Sequence, residues 1–135
     1  MDSLPEILLW LLKFYLLTSF CLFVTKKQVF ELHDDGHIEL TVLGRDLDAG
    51  HRPQYTVPPN VWFGSFPSLD VTSFANDGSV LAKAQARDGD LHYSLVGCTC
   101  APAFQFDDFE LATFSELIGL APKVEPFLKY LTQNG

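Results

Sequence analysis

VPPNVWFGSFP, residues 57–67, is the stretch on which the fold turns. Pro58, Pro59 and Asn60 interrupt an apolar run that Val61, Trp62 and Phe63 then resume. Proline fixes φ and withdraws a backbone donor, so the Pro-Pro-Asn triplet predicts a sharp corner between two strands. Asn is among the few non-glycine residues that enter the left-handed region readily, which suits the last position of such a corner. If VWFGSF (61–66) is a strand, Trp62 and Phe63 point to opposite faces.

Working outward, QYTVP (54–58) reads as the strand entering the corner. Upstream, QVFEL (28–32), HDDGH (33–37) and IELTVLG (38–44) form a hairpin pattern, with Asp35-Gly36 supplying the positive φ of the turn. RDLDAGHRP (45–53) is a polar loop, and PSLDVTSFANDGS (67–79) reads as a long surface loop. VLAKAQA (80–86) alternates as a half-buried strand should, RDGD (87–90) is a second Asp-Gly turn, and LHYSLVGCTC (91–100) is a buried strand. After Pro102 the pattern turns helical in ATFSELIGLAP and KVEPFLKYLTQ, with Asp107 or Asp108 as cap of the first and Pro126 in the first turn of the second. Strands followed by helices predict a mainly β fold: an antiparallel sheet of about six strands with short C-terminal helices.

The chain has 135 residues, enough for one domain. Of its 17 acidic and 9 basic residues, only Asp2, Glu6, Lys13, Lys26 and Lys27 lie in residues 1–28, which leaves residues 29–135 at a net charge of −9. So acidic a surface repels phosphate backbones, and no nucleic-acid partner is expected. Cys21, Cys98 and Cys100 are too few and too odd in number for a disulfide scaffold, and fit a reducing compartment. Cys98 and Cys100 share a face if they sit on one strand, where a bridge between them would be strained.

ILLWLLKFYLLTSFCLFV, residues 7–24, is an apolar run with one charge, Lys13. Its 18 residues reach the lower limit for a membrane-spanning helix. Residues 1–28 are accordingly expected to form a hydrophobic helix, with 7–24 as a single-pass anchor. Lys26 and Lys27 would hold the following domain, 29–135, in the cytoplasm. Lys13 near the middle of the run argues the other way, for a helix docked on a cytoplasmic domain. The acidic start and the lack of a small-x-small site do not fit a cleaved signal peptide.

ELHDDGHIELTVLGRDL, RPQYTVPPNVWFGSF and HYSLVGCTCAPAFQFDDFELA, in that order, resemble an uncharacterised branch of the cupin superfamily, the RmlC-like jelly rolls, plant members included. The resemblance covers about residues 29–120. It implies a small β-barrel that forms a homodimer and encloses a ligand cavity. Many cupins carry a second motif of the form Gly, spacer, Pro-x-Gly-x-x-His. Here Gly50 precedes Pro58-Pro59-Asn60-Val61-Trp62-Phe63, with Asn60 at the glycine and Phe63 at the metal-binding histidine. The branch's earlier block, of the form His-Arg-x-x-x-x-Glu-x-Trp-His, would lie upstream of Glu31, where the apolar run stands instead. The expectation is therefore a partial jelly-roll sandwich lacking the family's N-terminal half.

The slot of Phe63 in that motif faces inward, so Val61 and Ser65 would face in with it. Val61, Phe63, Ser65 and Cys98 are the candidate ligand-binding residues, forming an apolar cavity wall for an unknown small molecule. Core packing accounts for the same side chains equally well. His33, His37, His51 and His92 read as solvated histidines scattered over turns and a strand start, so no metal ligand and no cofactor are expected. FDDFE (106–110) lacks the calcium-loop pattern, and Ser65 and Ser94 have no base beside them in sequence. No catalytic residue is assigned. The leading expectation is a non-catalytic, cupin-like binding domain. The alternatives are a sugar epimerase or isomerase, which would need a positioned base, or an incomplete form without independent activity.

Overall fold

The turn at HDDGH closes a hairpin. Gly36 adopts φ 89°, and the His33 N–H donates to the His37 carbonyl at 3.0 Å. Strands β3 (Lys27–Leu32) and β4 (Ile38–Leu43) pair antiparallel from Leu32↔Ile38 to Lys27↔Leu43. A computed structural model describes residues 12–14, 17–22, 26–88, 91, 96–101 and 109–132.

The other strands are β1 (Leu12–Phe14), β2 (Leu17–Leu22), β5 (Gln54–Val57), β6 (Trp62–Pro67), β7 (Val71–Phe74), β8 (Leu81–Lys83), β9 (Val96–Ala101) and β10 (Phe109–Leu111). They form a five-stranded sheet in the order β10-β1-β6-β3-β4, a three-stranded sheet β5-β2-β9, and a separate β7-β8 pair. Pairing between these strands is antiparallel throughout. The corner between β5 and β6 is turned as the sequence predicts, with Asn60 at φ 64°.

Side chains alternate strictly along β3 and β6, so the five-stranded sheet is buried on both faces. One face carries Phe30, Leu32, Ile38, Trp62 and Phe66, packed against helices α1 (Phe114–Leu120) and α2 (Glu125–Leu131). Phe127 of α2 is the centre of this layer: it stacks on Phe30 at 5.1 Å and meets Phe66 and Phe74 at 6.1 Å each. Each helix has only seven residues, too short to hold in isolation, so this packing is what keeps them helical. The opposite face carries Val29, Leu43 and Phe63, which meet Val57 and Tyr55 of β5 from the three-stranded sheet. This is the interior of a two-sheet sandwich.

Four expectations are corrected. The apolar run at 7–24 is not helical where it is described: 12–14 and 17–22 are strands, and β1 lies between β6 and β10 while β2 lies between β5 and β9. A continuous apolar run is equally a buried strand or a buried helix, and the open edges of neighbouring strands decide between them. Lys13, awkward inside a membrane span, is half-buried with its ammonium 4.8 Å from the centre of the Trp62 ring. Among the described residues no helix is long and apolar enough to cross a membrane.

Residues 67–79 are not one loop. A 3-10 turn (Ser68–Asp70) leads into β7, and Asp77-Gly78 turns the chain into β8. Gly78 has φ 84°, and Asp77 Oδ1 accepts from the Ser79 N–H at 3.0 Å and from the Ser79 hydroxyl at 2.7 Å. The described strands number ten, against about six expected, because three-residue strands carry too little alternation to be seen. The cap of α1 is Thr113, with Pro126 in the first turn of α2 as expected. Asp107, Asp108, Gly89 and His92 lie outside the described residues.

Candidate functional site

The alternation that builds the sandwich also buries two charges in it. On the interior face of β3, Lys27, Val29 and Glu31 follow one another, and both Lys27 and Glu31 are wholly buried. Burying a carboxylate is costly unless it is hydrogen-bonded, so its partners matter. Glu31 stands opposite Phe63 of β6 on one side and Glu39 of β4 on the other. Tyr55, from the facing sheet, donates its hydroxyl hydrogen to Glu31 Oε1. Glu31 Oε2 has no hydrogen-bond partner among the described residues and lies 3.7 Å from His33 Nε2.

Burial lifts the Glu31 carboxyl above the ordinary carboxylate range, and the bond from Tyr55 offsets this only in part. Burial, and then the bond to Glu31, pushes the Tyr55 phenol up to about 12. The pair is thus a buried carboxylate held by a phenol that keeps its proton at neutral pH.

Of the residues expected to line a site, the structure brings three together. Phe63 is buried in the interior cluster, Val61 packs against that cluster, and Ser65 stands opposite Val29 on the same face. Trp62 goes to the helix-covered face, so the two aromatics do part as strand geometry requires. Cys98 is in β9 opposite Phe20 of β2; its side chain, like those of Cys21 and Cys100, lies outside the described residues. Glu31 and Tyr55 were missed. Each sits in an alternating strand pattern that shows which face it takes, but not that the two faces meet.

The Pro-Pro-Asn corner, the inward Phe63 and all of the two-sheet sandwich but β1 lie within the stretch that a known family matches. A family model described as Cupin superfamily (DUF985) fits residues 16–112. The chain belongs to the cupin superfamily. The match begins at residue 16 and so takes in β2, from the later part of the apolar run. Two solved structures are similar. A crystal structure of a Shewanella oneidensis protein has 25% identity and a TM-score of 0.70, over 90% of this chain and 65% of that one. A hypothetical protein from Leishmania major has 22% identity and a TM-score of 0.69, over 91% of this chain and 68% of that one. This cupin therefore spans just under two thirds of the Shewanella protein. No curated protein matches it. Where the resemblance puts a cupin's second-motif histidine, Phe63 offers no lone pair, so a metal at that place does not fit this chain.

The histidines depart from expectation. His33 and His37 are not scattered: they flank one turn, with rings stacked at 4.3 Å and 5° apart. Glu39 Oε2 lies 3.8 Å from His33 Nε2, and Glu39 Oε1 lies 3.6 Å from His37 Nε2. Asp35 accepts a hydrogen bond from the His37 ring at Nδ1 and another from its backbone N–H at 3.0 Å. These bonds hold the Asp35 carboxyl below its usual range, the backbone bond foremost, while the Asp35 side chain raises the His37 imidazole. The spacing of four was visible in HDDGH. The turn was visible too; what only the structure supplies is how the two rings stack and that Glu39 and Glu31 come to their Nε2 atoms.

Proposed function

We propose that the interior face of the sandwich binds a small polar molecule, with Glu31 and Tyr55 as its polar anchor and Val61, Phe63 and Ser65 as its wall. The observation that carries this reading is the Oε2 of a wholly buried carboxylate, beside apolar side chains and without a hydrogen-bond partner among the described residues. Folding alone gains little from such a group, and a ligand donor placed against Oε2 would satisfy it. The ligand chemistry that fits is a hydroxyl or amine donor on a compact, partly apolar body, as in a sugar. A thermal-shift and calorimetric screen against sugars and nucleotides tests this, using the wild-type chain and Glu31→Gln. The reading expects at least one compound to stabilise the wild type and to bind Glu31→Gln about tenfold more weakly, the loss of roughly one charged hydrogen bond. Equal binding to both chains would remove Glu31 from the site.

A second reading has a specific observation behind it. An epimerase or isomerase needs an inward base, and Glu31 hydrogen-bonded to Tyr55 supplies a base next to a proton donor. On that reading the chain would wash solvent deuterium into a carbonyl-bearing sugar, and Glu31→Gln would stop it. Binding without exchange would leave the site a binding site only.

A further inference from the structure

We propose that the β3–β4 hairpin holds one divalent transition-metal ion of the zinc type, ligated by His33 Nε2, His37 Nε2 and the Glu39 carboxylate, with Glu31 Oε2 beside them as a fourth donor. The three ligand atoms of His33, His37 and Glu39 lie within 4.8 Å of one another. Their closest separations, 3.6 and 3.8 Å, are too long for hydrogen bonds. Donors around a tetrahedral zinc with bonds of about 2.0–2.1 Å stand about 3.3 Å apart, so the distances suit the ion, and binding it requires the two stacked rings to turn until their Nε2 lone pairs converge.

An ordinary exposed ion-pair cluster would have the same residue types, but two observations separate this one from it. His33 Nε2 and Glu31 Oε2 are both buried, both lack a hydrogen-bond partner among the described residues, and face each other at 3.7 Å. A cation between them satisfies both. In addition, Asp35 engages Nδ1 of His37, which fixes the tautomer that leaves the Nε2 lone pair free. That carboxylate–histidine relay is the usual support behind a histidine ligand. Two imidazoles and two carboxylates match a borderline divalent ion in both softness and charge. The proposal shares Glu31 Oε2 with the interior ligand reading, but the two fail separately: His37 is on the turn, and its loss removes a metal ligand while leaving Glu31 and Tyr55 in place.

The test uses the full chain, stripped with chelator and titrated with zinc alone, then with cobalt(II) as a spectroscopic probe. One equivalent should bind, with the visible bands of tetrahedral cobalt on nitrogen and oxygen, and zinc should raise the Tm. Asp35→Asn should weaken zinc on the order of ten- to a hundredfold, and the exposed His37→Gln by at least as much. His33→Gln serves as a second variant. Failure of zinc to bind, binding unchanged in both histidine variants, or a cobalt–thiolate charge-transfer band would each overturn the proposal.

Discussion

The hydroxyl of Tyr55 on the three-stranded sheet reaches Glu31 on the five-stranded sheet, and this bond ties the two layers of the sandwich through their interior. It joins residues 24 apart in sequence. Tyr55→Phe keeps the ring and removes the donor, leaving a buried carboxylate with one fewer partner. Urea unfolding should show a loss of about 1.5–3 kcal/mol. In a Glu31→Gln background the same change should cost less, because a neutral acceptor gains less from the hydroxyl. Strictly additive effects in the double-mutant cycle would mean that the bond contributes nothing across the layers.

Asn60 holds φ 64° at an exposed corner between β5 and β6, so its backbone conformation can be tested without disturbing the core. Asn60→Gly should leave stability nearly unchanged. Asn60→Val forces a β-branched residue into the left-handed region and should cost about 1–3 kcal/mol. Identical unfolding midpoints for the two variants would show that the corner relaxes out of positive φ.

Asp77 contributes to the acid side of the stability profile through the β7–β8 turn. Its carboxyl is held at about 2, against an ordinary 3.8, first by the Ser79 hydroxyl, then by the Ser79 N–H and by Lys123. A depressed carboxyl contributes stability that is whole above 3.8 and is lost as pH falls from there toward 2. Asp77→Asn should therefore be less stable than wild type at neutral pH, with a shallower loss through that window and convergence below it. Thermal unfolding measured from pH 6 down to about 2 checks this. Parallel profiles across the window would show that the Asp77 contacts form equally well with the protonated acid.

What could be read ahead of the structure follows local chemistry. The positive-φ turn at Gly36, the corner at Asn60 and the opposed faces of Trp62 and Phe63 each depend on a few adjacent residues. So does the Pro126 start of α2. The β7–β8 hairpin was harder, because strands of four and three residues hold barely one period of alternation.

Which residues turn, which alternate and which family's blocks they follow are readable along the chain, because backbone sterics and strand periodicity act over neighbours. The rest follows from how the folded chain packs, which sets contacts between distant residues. Packing made the apolar run at 12–14 and 17–22 into strands, since β6, β10, β5 and β9 offered it pairing edges. It set Lys13 against Trp62 and Tyr55 against Glu31. It also turned the buried Glu31 Oε2 toward His33 Nε2 at the end of the predicted hairpin. A side chain's face is a local property, whereas the partner it meets is chosen by how the sheets stack.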